Sequence, residues 1–227
     1  YVTDILTDEA LRFIDQNAGR PFLLYLGHKA VHADFFPAER HKNLYSDVKI
    51  PHPKSMADTE ENYRGRPEWV RRQRNSWHGV DFPYHSDLNV DQYYQRYCET
   101  LCAVDDSVGR IVAELKKMGC YDDTLILYMG DNGFMFGEHG LIDKRVAYDA
   151  SIRIPMLMQC PSLFSGGRTV EQAVANIDVG PTIMTAMGLT PPPHMDGLNF
   201  LPLARGTSSC TGSARKTGNN AWPLRMR

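Results

Sequence analysis

The chain has 227 residues, of which 42% are hydrophobic and 23% charged, and 25 Lys and Arg against 27 Asp and Glu give a net charge of −2. That apolar fraction is enough to build a core, which excludes disordered, collagen-like and mucin-like chains. The longest apolar runs, residues 21–27 and 154–161, are strand-sized and fall far short of the ~20 residues a membrane helix needs. Without a basic excess there is little to displace phosphate counterions, which argues against nucleic acid as a partner.

In chain order, residues 3–19 give the first helical pattern. Ile5, Leu6, Ala10, Leu11, Phe13 and Ile14 recur at helical spacing, Asp4, Asp8 and Glu9 bias the first turns to negative charge, and Gly19 supplies a stop. Residues 21–27 form a continuous apolar run, which predicts a strand buried on both faces. Residues 33–90 are rich in Pro, His and Arg and weakly periodic, the mark of a functional insertion rather than a linker. Residues 91–119 predict a long helix with Tyr94, Tyr97, Leu101, Val104, Val108, Ile111, Val112 and Leu115 as its apolar stripe. Lys116, Lys117 and Gly119 suit its C-terminal end.

Residues 124–129 predict a second buried strand, ending in Gly130-Asp131-Asn132-Gly133, and residues 154–160 a third. Residues 174–188 carry a short helix opened by Asp178, with Pro181 near its start. Helices alternating with buried strands imply an α/β fold, a largely parallel mixed sheet flanked by helices. From Ala204 the periodicity ends, so residues 1–203 read as the ordered part and 204–227 as a disordered or non-native tail. The five cysteines, Cys98, Cys102, Cys120, Cys160 and Cys210, are odd in number and scattered, unlike a disulfide framework. Cys98 and Cys102 read as thiols sharing one apolar helix face rather than as a metal or redox pair. The chain opens at Tyr1, without Met and without a basic-then-apolar leader, so its start is expected not to be the natural one.

In open α/β sheets ligands gather at the carboxyl ends of strands, and three polar clusters fall there. The run 21–27 leads into His28-Lys29-Ala30-Val31-His32, the run 124–129 into Asp131-Asn132, and Lys144 follows in the loop Gly137-Glu-His-Gly-Leu-Ile-Asp-Lys144. A carboxylate beside an amide oxygen suits Ca²⁺ or Mg²⁺. With a lysine and a histidine added, the set describes a pocket for a tetrahedral oxyanion ester. Each piece also has an ordinary reading. Asp131-Asn132-Gly133 is first a turn signal, a histidine at a strand end is commonly a supporting group, and His139 between glycines shapes its loop. The coincidence of three clusters carries the chemical reading.

At these residues the chain resembles the type I, formylglycine-dependent sulfatases of the alkaline-phosphatase-like superfamily. Pro21-Phe-Leu-Leu-Tyr-Leu-Gly-His-Lys-Ala-Val-His32 is similar to their catalytic-histidine segment. Asp105-Asp-Ser-Val-Gly-Arg-Ile-Val-Ala-Glu-Leu, then Asp122-Asp-Thr-Leu-Ile-Leu-Tyr-Met-Gly-Asp-Asn-Gly133, resembles their long helix and metal-ligand strand. Gly137-Glu-His-Gly-Leu-Ile-Asp-Lys144 resembles their sulfate-binding loop. Ile154-Pro-Met-Leu, Asp178-Val-Gly-Pro-Thr-Ile and Asp196-Gly-Leu-Asn-Phe-Leu-Pro-Leu203 follow in the family's order.

The resemblance implies that Asp131 and Asn132 ligate a calcium ion, rather than magnesium, that Lys144 contacts the sulfate, and that His32, ahead of His28, contacts the sulfate or leaving-group oxygen. Many members carry Pro two residues after that histidine, where this chain has Asp34. The family's formylglycine arises from Cys or Ser in a Cys/Ser-x-Pro-x-Arg motif that neither Cys160-Pro-Ser-Leu-Phe nor Cys210-Thr-Gly-Ser-Ala-Arg matches. The chain is therefore expected to be an internal, incomplete piece of a sulfatase, the second half of its catalytic domain, without turnover by itself. The implied function is hydrolysis of sulfate esters of small molecules or carbohydrates. A phosphoester or phosphonate monoester hydrolase of the same superfamily, or a non-catalytic binding paralogue, is the alternative. Trp69, Trp77, His78, His85 and Arg64, Arg66, Arg71, Arg72 and Arg74 in the insertion would stack on and charge-pair with an anionic sugar, or simply form a basic solvated surface.

Overall fold

In the computed structural model, which describes residues 1–82, 89–207 and the backbone of Leu224–Met226, helix α1 (Val2–Gln16) buries Thr3, Thr7, Ala10 and Ile14. That spacing is one helical stripe. By internal contacts the chain divides into two units, Tyr1–Met118 with Phe134–Ile152, and Gly119–Gly133 with Arg153–Arg227.

In the first unit the short stretches α2 (Glu60–Tyr63) and α3 (Glu68–Arg72) precede the long helix α4 (Val90–Lys117). Helix α1 packs on α4, whose buried positions include Thr100, Ala103, Val104, Ser107 and Leu115. Small side chains on both helices let the backbones approach closely. Helix α4 begins in a capping box: Gln92 N donates to Asn89 Oδ1 at 2.9 Å and Asn89 N to Gln92 Oε1 at 3.3 Å. Lys116 and Lys117 lie in its last turn, and Gly119 follows with φ +70°, as the sequence predicts. Arg40 ties the two helices, reaching Asp4 at 2.7 Å and Asp106 at 2.9 Å. Phe35, Tyr93 and Ile142 form a second core with Tyr97, Phe134 and Phe136 packed against it.

The expectation of a strand buried on both faces at residues 21–27 is corrected. No strand forms there, and burial alternates along the run, with Leu23 61% and Tyr25 93% exposed. Phe22 packs edge-on against Phe13 of α1, with centroids 6.0 Å apart. A strand needs a hydrogen-bonding neighbour, and among the described residues none pairs with this run, so one face is covered by a helix and the other is bare. Short 3₁₀ turns, Glu39–His41, Lys54–Met56 and Gln73–Asn75, break up the segment that the sequence marks as an insertion. Pro83 and His85 lie outside the described residues. Helix α5 (Asp149–Ile152) closes this unit.

The second unit is built on a four-stranded sheet, with β1 (Ile126–Met129), β2 (Met156–Gln159), β3 (Thr169–Val170) and β4 (Leu224–Met226) in the order β1-β2-β4-β3. The β2–β4 pair is parallel, and β1–β2 and β3–β4 are antiparallel. The sheet is thus mixed, with parallel pairing confined to one of the three pairs rather than predominating, because β1 and β2 run in opposite directions. Met156, Met158, Cys160, Phe164, Val170, Phe200, Leu201, Leu203 and Ala204 make its core.

Helix α6 (Val179–Ala186) follows a 3₁₀ turn, Asn176–Asp178. The buried Asp178 accepts from Ala175 N and Leu198 N, both at 2.8 Å, while Thr182 Oγ1 accepts from Phe200 N at 3.0 Å. The motifs beginning at Asp178 and Asp196 therefore lock together as scaffold. Helix α7 (Leu201–Arg205) carries the chain past Ala204, which is buried, to Gly206 at φ +79°. Residues 208–223, and Cys210 among them, lie outside the described residues. Cys98, Cys102 and Cys160 are free thiols; Cys102 Sγ contacts the Cys98 carbonyl at 3.4 Å and the Tyr45 hydroxyl at 3.6 Å. Among the described residues no helix is long and apolar enough to cross a membrane.

Candidate active site

The two histidines at the end of the 21–27 run differ in surroundings. His32 is exposed. Its backbone N–H closes a turn on the Lys29 carbonyl at 3.0 Å, and Nδ1 lies 2.7 Å from the Ala33 carbonyl. A carbonyl only accepts, so Nδ1 carries the proton and Nε2 is left with its lone pair. His28 instead faces inward. Its Nε2 lies 3.1 Å from Ser107 Oγ, which lies 2.7 Å from Thr7 Oγ1, which donates to the Thr3 carbonyl at 2.7 Å. With Thr7 donating to Thr3, Ser107 must donate to Thr7 and His28 Nε2–H to Ser107. Burial pushes the His28 imidazolium below its usual range. His28 thus anchors the segment between α1 and α4.

Lys144, half-buried, ends a tight loop. Gly137 N donates to the Leu141 carbonyl at 2.9 Å and Met135 N to the Asp143 carbonyl at 2.8 Å. Gly137 and Gly140 take φ of +112° and +75°, which glycine tolerates without strain. His139, at φ +58°, stacks on Tyr148 with centroids 4.0 Å apart and donates its backbone N–H to Ser55 Oγ at 3.2 Å. It shapes the loop, and burial, then Arg66, lowers its pKa.

In the second unit, Asp131 and Asn132 follow β1. Asn132 N donates to Asp131 Oδ1 at 2.9 Å and Asn132 Nδ2 to the Gly133 carbonyl at 2.7 Å, while Asn176 Nδ2 reaches the Asp131 carbonyl at 3.3 Å. The turn reading is therefore realised. It also leaves Asp131 Oδ2 and Asn132 Oδ1, two hard oxygens on adjacent residues, without a partner among the described residues. That donor pair fits part of a calcium shell, which takes about 6–8 oxygens. Among the described residues no cluster of three or more His, Cys, Asp or Glu is gathered to supply the rest.

Several insertion residues are committed to structure. Arg74 is buried, holding Asp81 at 2.8 and 3.1 Å and the Met56 carbonyl. Arg71 bridges Asp58 at 2.9 Å and Glu60 at 2.6 Å, and Arg72 reaches Glu68 at 3.4 Å. Trp77 packs near Phe82 with centroids 5.8 Å apart. Arg64, Arg66 and Trp69 stay exposed. Residue patterning missed the pairing of His78 with the buried Asp143, Nδ1 to Oδ1 at 3.6 Å. The one signal available was that Asp143 directly precedes Lys144.

The Sulfatase family model matches residues 1–189. The N-acetylglucosamine-6-sulfatase of Bos taurus is 32% identical over 215 residues, covering 93% of this chain and 37% of its own length. A solved structure in complex with its substrate D-glucosamine-2-N,6-O-disulfate is 25% identical with a TM-score of 0.79, covering 95% of this chain and 54% of that one. The phosphonate monoester hydrolase from Silicibacter pomeroyi has a TM-score of 0.81 at 24% identity, over 94% of this chain and 43% of that one, and at that identity it shows the fold alone. That fold is the α/β architecture of the alkaline phosphatases and sulfatases. The chain spans less than half the length of the curated relatives it matches. With the family model running through His32, Asp131, Asn132 and Lys144 in order, this chain belongs to the sulfatase family.

Proposed function

We propose that this chain supplies the sulfate-holding and leaving-group half of a sulfuric ester hydrolase acting on 6-O-sulfated amino sugars. The observation that carries the reading is the family match over residues 1–189, a span that includes the motifs around His32, Asp131, Asn132 and Lys144. The sugar preference is supported by the bovine relative, an N-acetylglucosamine-6-sulfatase, and by the D-glucosamine-2-N,6-O-disulfate bound in the solved complex.

In this reading Lys144 places its ammonium against a sulfate oxygen of the bound ester, pairing with charge already present in the ground state as well as with charge that builds as the S–O bond opens. His32, with Nδ1–H held by the Ala33 carbonyl, presents Nε2 at the leaving oxygen; protonated there, it donates to the departing alcohol. Asp131 and Asn132 would hold a calcium ion through Asp131 Oδ2 and Asn132 Oδ1, and such an ion would supply Lewis-acid polarisation of the sulfate oxygens. A formylglycine, whose precursor motif residues 1–227 do not contain, would supply the nucleophile; residues 1–203 are then the second half of a catalytic domain. Exposed Arg64, Arg66 and Trp69 are available to the sugar.

The test is sulfate release from glucosamine 6-sulfate by the chain extended upstream to include the nucleophile. Asp131→Ala should remove bound calcium and lower turnover, and Lys144→Met should cost on the order of 10²-fold in kcat/KM, the usual loss for a group stabilising developing charge. Release of phosphonate esters without sulfate release would favour the second superfamily activity. Full activity in Asp131→Ala would reduce that turn to scaffold.

A further inference from the structure

The loop that presents Lys144 is braced from outside by the insertion. Ile142 N donates to the His78 carbonyl at 2.7 Å, Val80 N donates to the Gly140 carbonyl at 3.0 Å, and Gly79 and Leu141 form an antiparallel bridge. Residues 78–80 thus run as a short ladder beside residues 140–142. The approach depends on Gly79, where a Cβ would lie 1.9 Å from the Arg74 carbonyl oxygen. Arg74 is itself clamped to Asp81 across the same turn.

The His78 side chain continues the brace. Its Nε2 lies 3.0 Å from Arg145 Nη1 and its Nδ1 3.6 Å from Asp143 Oδ1, while Arg145 Nε lies 3.4 Å from that same oxygen. Arginine has no acceptor, so Nη1–H donates and His78 Nε2 holds its lone pair; the ring proton is on Nδ1, facing Asp143. Asp143 is 4% exposed, a burial that a carboxylate sustains only when charged or polar groups face it. The three side chains close a triangle on the residues immediately before and after Lys144.

We propose that His78 is a positioning residue for Lys144. By accepting from Arg145 with one ring nitrogen and facing the buried Asp143 carboxylate across 3.6 Å with the other, it steadies the backbone on both sides of the lysine and so the place of its ammonium. The proposal rests on the reading of Lys144 as the sulfate-binding group. It extends that reading by giving part of the irregular insertion a role in the reacting site itself, beyond contact with the sugar.

Two measurements separate the inference from the reading beneath it. The first is amide hydrogen exchange of residues 1–227, which needs no turnover. His78→Ala should raise exchange across residues 137–145 by about tenfold, as expected on losing a hydrogen bond to a charged group, with α1 unchanged. His78→Gln, whose amide oxygen can accept from Arg145, should recover most of the protection. The second is kinetics of the upstream-extended enzyme. A displaced Lys144 raises KM for the sulfate ester about tenfold or more and lowers kcat less, again with recovery in His78→Gln. A purely structural role would lower the active fraction, and with it kcat, at constant KM. Unchanged exchange in residues 137–145, or loss of kcat at unchanged KM, overturns the proposal. A wild-type enzyme without sulfatase activity overturns the functional reading instead, and the exchange result still decides whether His78 holds the loop.

Discussion

His28 is a titratable group enclosed in a chain of hydroxyls, and its environment sets a direction for stability. Nε2–H is committed to Ser107, and the buried Nδ1 has no hydrogen-bond partner. Protonation would place a second N–H where nothing accepts it, in line with a pKa held below the ordinary 6.5 by burial. A histidine whose folded pKa is depressed contributes fully above its unfolded value, and that contribution is lost as pH falls below about 6.5 toward the folded value. Denaturant unfolding at about pH 7.5 and about pH 5.5 should show a loss of stability at the lower value. In His28→Gln, which can still donate to Ser107, that loss should be smaller; an equal loss would place the sensitive group elsewhere.

Among the elements, α4 carries the first unit, because α1, the turn Glu39–His41, His28 and the aromatic core all pack on it. Its N-terminal capping box satisfies two backbone donors reciprocally. Asn89→Ala should destabilise the chain by about 1 kcal/mol, the usual cost of losing such a cap, while Asn89→Ser should cost only a few tenths. Urea unfolding followed by circular dichroism reads both. Equal, negligible losses would mean that the first turn is held by packing rather than by its cap. The strands contrast with α4: β1 and β2 are four residues each, shorter than their apolar runs, because pairing between them covers only Ile126–Met129 against Met156–Gln159.

For the molecule as a whole, the consequence lies in the 21–27 run. Leu23 and Tyr25 are 61% and 93% exposed on backbone without a neighbouring strand. Exposed apolar side chains on an open edge favour association. Residues 1–227 alone should therefore self-associate in a concentration-dependent way, and Leu23→Lys with Tyr25→Lys should shift sedimentation toward monomer. A monodisperse wild-type chain with a sharp melt would contradict this.

The sequence by itself determined α1 and α4 to within a few residues, since helical periodicity and end signals such as Lys116, Lys117 and Gly119 are local. It also determined the family, because the motifs around His32, Asp131 and Lys144 are contiguous stretches read in order. It overstated the 21–27 strand, because apolar composition records what a segment can bury, whereas a strand exists only when another segment pairs with it. Which histidine turns inward was likewise undetermined: His28 and His32 are four residues apart, and only the packing of α1 on α4 puts Ser107 and Thr7 beside the first. Arg74 read as a surface cation until the turn to Asp81 closed around it. The bracing of Lys144 by His78 joins positions 66 residues apart in the chain, a separation that no local signal crosses, so only the tertiary structure could decide it.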